Sequence, residues 1–244
     1  EEQMENLNTL AKLTEYIENN EHTFNTSKIT WKDILATKAD VKLEKPGITQ
    51  WCTYTFTKLM FGICYRFRLK GNRELPKSPC IIVANHRCAI DGILITNNFS
   101  RKVNKNTFFF AKEKHWKSKI AQFFARKNNV ILMDINKNVR QSLQEMCAVL
   151  EKGKNIVIFP EGTRSLDNKI KSFYPGAFFI SERLKLPITP TLLYGTGNTI
   201  HKSQMLYRKN GIIAIKFYQP ISNEDKTFGV DFKERTNTDR KSTR

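Results

Sequence analysis

The feature that most constrains the fold of this chain is an apolar run that ends abruptly at Asn85-His86. Ile81 to Ala84 is typical of a buried strand, and a helical pattern that contains Asp91 begins a few residues later. On one straight helix His86 and Asp91 would point in different directions, because five residues carry the chain about 140° past a full turn. They meet only if the backbone bends at a strand-to-helix turn, and open α/β sheets bind ligands at that edge.

Apolar strand-like runs alternate with helical patterns along most of the chain. The predicted strands cover 80–84, 107–111, 130–133, 155–159, 188–194 and 211–218. The predicted helices cover 90–99, 116–126, 138–152 and 175–186. This alternation implies right-handed crossovers. It therefore predicts an α/β fold with a mostly parallel central sheet flanked by helices, preceded by an N-terminal helical segment.

The predicted helix over 116–126 has two contrasting sides. Its apolar side carries large residues at helical spacing, namely Trp116, Ile120, Phe123 and Phe124. Its other side is basic, with Lys114, Lys117, Lys119 and Lys127. The pattern predicts an amphipathic helix.

The net charge points to an anionic partner. The chain has 41 basic and 23 acidic residues, a formal charge of +18. This excess favours nucleic acid, an anionic membrane surface or phosphorylated substrates. No nucleic-acid-binding motif is present and the basic residues are scattered, so nucleic acid is not predicted as a partner. Seventeen phenylalanines favour a lipid surface.

The cysteines indicate buried thiols and not a disulfide framework. They are odd in number and no pair has metal-ligand spacing; the five are Cys52, Cys64, Cys80, Cys88 and Cys147. This usage is typical of a reducing compartment, and no metal site is predicted.

Composition divides the chain into four predicted parts. Residues 1–47 form an N-terminal helical segment with a charged linker, interpreted either as a small amphipathic helix or as the end of an upstream carrier domain. Residues 48–69 form a membrane-interfacial helix and residues 70–221 the main domain. Residues 222–244 form a polar C-terminal tail.

The segment 48–69 is rich in aromatic residues, but its threonines, glutamine and lysine argue against a membrane span. Trp51 and Tyr54 suit the headgroup level of a bilayer. The basic residues of this region that could contact anionic lipid are Lys58, Arg66, Arg68 and Lys70. The alternative is an ordinary buried helix that packs on the main domain.

His86 has the surroundings of a general base. After the bend, Asp91 can accept a hydrogen bond from one ring nitrogen, which leaves the other nitrogen basic. No serine nucleophile lies beside it, and Cys88 lies in the bend without a second base. A two-member arrangement is therefore predicted, in which His86 deprotonates a substrate hydroxyl directly.

The loop Glu161 to Arg164 has the ingredients of a phosphate cradle. Gly162 allows close approach of the backbone, Thr163 offers a hydroxyl, and Arg164 offers a bidentate guanidinium. Glu161 is expected to orient Arg164 or a substrate hydroxyl. Because parallel strands ending at 84 and 159 open on one sheet edge, this anion site is predicted to lie beside His86.

These motifs resemble those of the glycerolipid acyltransferases. Asn85-His86 with Asp91 matches the H-x4-D motif of that family, and residues 159–165 match its FPEGTRS motif. Residues 186–190, Leu-Pro-Ile-Thr-Pro, resemble its proline-flanked fourth motif. The match covers roughly residues 70–220 in the order and spacing of the family, and it is most similar to the 1-acylglycerol-3-phosphate acyltransferases.

The resemblance implies an activity and a set of roles. Such an enzyme moves an acyl group from acyl-CoA or acyl-carrier protein, its co-substrate, to the free hydroxyl of lysophosphatidic acid, with no cofactor. His86 would be the base, Asp91 would orient it, and Glu161 to Arg164 would bind the acceptor phosphate. Lys112 would contact the phosphate or the donor. The enzyme would act at the cytoplasmic face of a membrane with anionic lipid, as a peripheral or monotopic protein.

One position departs from the family pattern. Ile135 stands where the second motif usually has a phosphate-binding arginine. Either Lys137 or Arg140 substitutes for it, or the acceptor is another lysophospholipid or lipid alcohol. The alternative from a different class is a non-catalytic peripheral lipid-binding module. Such a module would not need His86 and Asp91 together, and this distinguishes it from an acyltransferase.

Overall fold

A computed structural model describes residues 39, 41–44, 47–64, 66–71, 79–113, 116–133, 139–165, 173–174, 176–196 and 212–221. Within these ranges the helices are α1 (Ile48–Cys64), α2 (Asp91–Asn97), α3 (Arg101–Lys105), α4 (Lys119–Lys127), α5 (Val139–Glu151) and α6 (Gly176–Leu184). The strands are β1 (Arg66–Gly71), β2 (Ile81–Ala84), β3 (Thr107–Lys112), β4 (Val130–Met133), β5 (Asn155–Ile158), β6 (Ile188–Tyr194) and β7 (Ile212–Phe217). Most of the predicted N-terminal segment, the tail from residue 222 and Ile135 lie outside the described residues.

The strands form one seven-stranded sheet in the order β1-β7-β6-β2-β5-β3-β4. β2 lies in the middle and runs parallel to both of its neighbours, β5 and β6. β3 runs parallel to β5 and β4. β7 is antiparallel to β6, and β1 is parallel to β7. The predicted α/β fold with a mostly parallel sheet is confirmed, and the reversed strands lie together at one edge.

The sheet is covered on both sides, which explains why its central strand is apolar throughout. All four residues of β2 are buried, as expected for a strand with helices on both of its faces. Ile82 and Ala84 point into one cluster with residues of α1 and α2, here called the front cluster. Ile81 and Val83 point into the other with residues of α5 and α6, the back cluster.

The predicted helix over 48–69 is too long at its C-terminal end. α1 ends at Cys64, and Arg66–Gly71 forms strand β1, which pairs with β7 from Arg66↔Ile212 to Gly71↔Phe217. The predicted boundary at residue 70 therefore falls inside a strand. The alternation of basic and apolar residues in Arg-Phe-Arg-Leu-Lys has the period of a strand, and edge strands commonly carry such charges.

No helix in the described part of the chain is long and apolar enough to cross a membrane.

The burial of β2 makes a stability prediction. Ile82 is 0% exposed, so we expect Ile82→Ala to lower the free energy of unfolding by about 2–5 kcal/mol through lost burial and a residual cavity. Urea unfolding of the purified protein measures this change. Ile63→Ala is the control, because Ile63 on α1 is 77% exposed and its truncation should change stability little. Equal losses in the two variants would contradict the burial of β2.

Candidate active site

The turn after β2 is held by the side chain of Asn85. Its Nδ2 donates to the Leu193 carbonyl at 3.0 Å, and the Leu193 N–H donates to Asn85 Oδ1 at 2.7 Å. Asn85 thus continues the pairing of β2 with β6 through its side chain. The backbone is then free to turn away, which supplies the bend that the spacing of His86 and Asp91 requires.

His86 and Asp91 meet across this bend. His86 Nδ1 lies 3.0 Å from Asp91 Oδ2, and the side chains are 21% and 0% exposed. An ionised carboxylate can only accept, so this pairing favours a ring proton on Nδ1, and in a neutral imidazole Nε2 is then the basic nitrogen. The predicted pairing of the two side chains is therefore present in the structure.

Asp91 lies in the first turn of α2 and accepts from several donors. Its Oδ2 accepts from the backbone N–H groups of Arg87 at 2.6 Å and Cys88 at 2.8 Å, and its Oδ1 accepts from Cys88 Sγ at 3.1 Å. A buried carboxylate is costly unless hydrogen bonds replace its water. These donors together with His86 offset that cost and fix the carboxylate in one orientation.

Cys88 is not built as a nucleophile. It is buried, and burial raises the pKa of its thiol, with the neighbouring Asp91 carboxylate acting in the same direction. A thiol is weakly nucleophilic until it ionises. The structure instead shows Cys88 as a donor to Asp91.

The loop after β5 is joined directly to His86. The His86 N–H donates to Glu161 Oε1 at 2.8 Å, and the Ser165 N–H donates to the His86 carbonyl at 2.8 Å. The Phe159 ring stacks on the imidazole, with centroids 4.3 Å apart and planes inclined by 23°. The predicted neighbourhood of the two loops is confirmed. Glu161 is buried, and its contact with the His86 backbone was not foreseen from the sequence.

Gly162 has a conformation that explains its presence. Its φ is +62°, in the left-handed region that favours glycine, and its N–H donates to the Phe159 carbonyl at 3.0 Å. A Cβ there would lie 2.8 Å from Cε2 of Tyr174. The tyrosine backbone N–H in turn donates to the Pro160 carbonyl at 2.8 Å. Tyr174 therefore lies over the loop, close to the predicted phosphate cradle.

The remaining predicted residues are placed differently. Thr163 is exposed and Arg164 half-buried, next to Ser165 and thus beside the His86 backbone. Lys112 ends β3, two strands away from β2. It thus lies at the carboxyl end of its strand, the sheet edge that also carries His86 and the loop after β5. Its predicted contact with the phosphate or the donor stays a prediction.

The contacts of three residues of the site could not be predicted from the motifs, although Asn85 and Phe159 lie within them. Asn85 acts through β6, Phe159 through ring stacking and Tyr174 through a loop contact, and each of these contacts depends on distant parts of the chain. Among the described residues, no group of three or more His, Cys, Asp or Glu could hold a metal ion.

Comparison with known proteins matches the same part of the chain. The family model described as acyltransferase matches residues 66–194, which include both loops of the site. A probable 1-acyl-sn-glycerol-3-phosphate acyltransferase from Mycoplasma genitalium is 28% identical over 145 residues, 58% of this chain and 53% of the relative. The 1-acyl-sn-glycerol-3-phosphate acyltransferase of Saccharomyces cerevisiae is 26% identical over 197 residues, 75% of this chain and 61% of the relative.

A solved structure has the same fold. The crystal structure of the 1-acyl-sn-glycerophosphate (LPA) acyltransferase PlsC from Thermotoga maritima superposes with a TM-score of 0.58 at 25% identity, covering 72% of this chain and 69% of that chain. The chain spans about half the length of the curated relatives it matches.

The conformation of Gly162 makes a prediction for the loop. We expect Gly162→Ala to lower the free energy of unfolding by about 1–3 kcal/mol, since a Cβ is strained at this φ and crowds the Tyr174 ring. Thermal unfolding measures the loss. The control is Gly62→Ala on the exposed side of α1, where a Cβ meets nothing within 4 Å and alanine favours the helix. A Gly162→Ala protein as stable as the control would contradict this loop conformation.

Proposed function

Because the chain belongs to the acyltransferase family, we propose that it transfers a fatty acyl group from acyl-CoA or acyl-carrier protein to the free hydroxyl of lysophosphatidic acid, giving phosphatidic acid. The observation that carries this proposal is the His86–Asp91 pair, hydrogen-bonded through the His86 backbone to the Glu161–Ser165 loop. The names of the relatives support this acceptor. The reaction needs no cofactor, and it belongs to phospholipid biosynthesis.

The proposed chemistry uses Nε2 of His86. It takes the proton of the acceptor hydroxyl as the oxygen attacks the thioester carbonyl carbon. The new C–O bond forms, the C–S bond breaks, and the proton on the imidazole passes to the departing thiolate. Asp91 keeps the ring in the tautomer that makes Nε2 the base, and it stabilises the imidazolium in between.

The acceptor phosphate is assigned to the loop after β5. Thr163 and Arg164 supply a hydroxyl and a guanidinium next to the residues that contact the His86 backbone. Glu161 is buried and acts as a positioning residue, because its carboxylate holds the His86 N–H and thereby fixes the distance between the base and the loop. A phosphate bound here presents the neighbouring hydroxyl to Nε2.

The lipid acceptor implies work at a membrane, at its cytoplasmic face, as a peripheral or monotopic protein with anionic lipid as partner. α1 supports this assignment, because its outer side carries exposed apolar residues: Ile48 78%, Phe56 65%, Leu59 65% and Ile63 77% exposed. Its inner side is tied to the chain around α2. Tyr54 Oη donates to the Phe99 carbonyl at 3.0 Å, and Thr57 Oγ1 donates to Asn97 Oδ1 at 3.1 Å.

The role of His86 predicts a large kinetic effect. We expect His86→Ala to lower kcat for acyl transfer by about 10²–10⁴-fold, the usual contribution of a general base, while the protein stays folded. Release of the free thiol from acyl-CoA with lysophosphatidic acid measures the rate, and circular dichroism checks the fold. Undiminished transfer by a folded His86→Ala protein would rule out the mechanism.

Arg164 predicts a difference between acceptors. We expect Arg164→Ala to raise KM for lysophosphatidic acid by about ten- to a hundredfold, because charged hydrogen bonds to the phosphate are lost. The KM for a monoacylglycerol, which lacks the phosphate, should change little. Arg164→Lys is the matched control, since it keeps the charge and loses the bidentate geometry. Equal losses with both acceptors would argue against phosphate binding by this loop.

A further inference from the structure

The apolar side of helix α4 faces outward. Ile120, Phe123 and Phe124 are 71%, 54% and 49% exposed, whereas Ala125 on the opposite side is 2% exposed. A stripe of large apolar residues on one side of a helix normally packs on a core. In α4 it is the small side, with Ala125, that packs inward, so the large residues lie outside the core, where the Phe123 and Phe124 rings meet edge to face at 5.9 Å.

α4 packs against α1, whose outer side is also apolar. Among the described residues there are eleven exposed large hydrophobic side chains, and eight of them lie on these two helices, five on α1 and three on α4. Single exposed apolar residues are ordinary, but a concentration on adjacent helices marks an interaction site. We call this surface the α1–α4 face.

The charged side chains of the two helices are all basic, and one acidic residue outside them, Glu44, pairs with Lys127 Nζ at 2.8 Å. Neither helix contains an aspartate or a glutamate. Lys119 and Arg126 are exposed on α4, and Lys127 Nζ lies 5.5 Å from the Phe123 ring centroid. Next to α1, the Arg101 guanidinium lies 5.9 Å from the Trp51 ring centroid. An apolar centre with aromatic residues and surrounding cations complements an anionic lipid surface.

We propose that α4 is a second membrane-docking element, which seats the protein on an anionic bilayer together with α1. Phe123, Phe124 and Ile120 enter the interface between headgroups and acyl chains, and the flanking cations contact lipid phosphates. A second copy of this chain fits the face poorly, because a symmetric contact would bring basic residues against basic residues. The membrane docking is inferred from this surface alone, whereas its role in bringing the enzyme to a lipid substrate rests on the proposed function.

The docking has a consequence for the active site. α1 is hydrogen-bonded to the end of α2, through Tyr54 to Phe99 and through Thr57 to Asn97. α2 begins at Asp91, which orients His86. A bilayer bound to the α1–α4 face therefore lies at a fixed position relative to the base.

Vesicle binding tests the proposal. Purified wild-type protein and Phe123→Ser/Phe124→Ser are sedimented with vesicles of equal parts phosphatidylcholine and phosphatidylglycerol, without substrate. We expect the double variant to partition roughly tenfold or more weakly, because two apolar side chains no longer enter the lipid. Both residues are exposed, so the variant should fold, and Ile120→Ser provides an independent substitution in the same stripe.

Charge reversal gives the second arm. Arg126→Glu on α4 should weaken binding to these vesicles about tenfold and leave binding to pure phosphatidylcholine unchanged. Arg183→Glu is the matched control, since it has the same charge change and Arg183 is exposed on α6, a helix that packs on the back cluster. Its binding should equal that of wild type.

The outcomes separate this proposal from the proposed function. Wild-type vesicle binding by the α4 variants would overturn it, and so would an equal loss in Arg183→Glu. If the wild type is a dimer, the double variant is a monomer and vesicle binding is unchanged, the α1–α4 face is a self-association surface and the proposal is wrong. Vesicle binding that depends on α4, in a protein that acylates no lysolipid, would overturn the proposed function and leave the docking surface standing.

Discussion

The buried carboxylate of Asp91 is the interaction on which the rest of the site depends. It is fully buried and accepts from two backbone N–H groups, from the Cys88 thiol and from His86 Nδ1. The same contacts that stabilise the charge also shape the turn between β2 and α2. The local backbone and the tautomer of the base are therefore determined together, and neither can change without exposing or unpairing the carboxylate.

The second loop depends on the first through the backbone of His86. Its N–H and its carbonyl are both used by the loop after β5, and its ring is stacked on Phe159. His86 and the proposed phosphate-binding loop follow separate strands, and side-chain contacts alone would hold them together less firmly. Backbone hydrogen bonds to a residue at the end of a central, fully buried strand give the two parts a common rigid support.

The front of the molecule combines two requirements that ordinarily conflict. α1 must pack on the sheet and also present an apolar surface, and it does so by placing Phe61 and Thr57 inward and Ile48, Leu59 and Ile63 outward. α4 inverts the usual arrangement by packing with its alanines. α1 carries the larger part of the exposed apolar surface and is also hydrogen-bonded to Asn97 at the end of α2 and to Phe99 beyond it. The proposed membrane surface and the proposed base are therefore connected through α1.

The sequence by itself determined the α/β fold and most of the strands, because apolar periodicity is a local signal. It also determined that His86 meets Asp91 and that both lie beside the Glu161 loop, because parallel topology brings the ends of these strands to one sheet edge. It did not reveal β1, whose pairing with β7 is made with a strand far along the chain. The role of Lys112 at the end of β3 came only from the family resemblance and stays a prediction. Only the tertiary structure decided which side of α4 is buried, since an amphipathic pattern distinguishes the two sides of a helix but packing selects the one that meets the core.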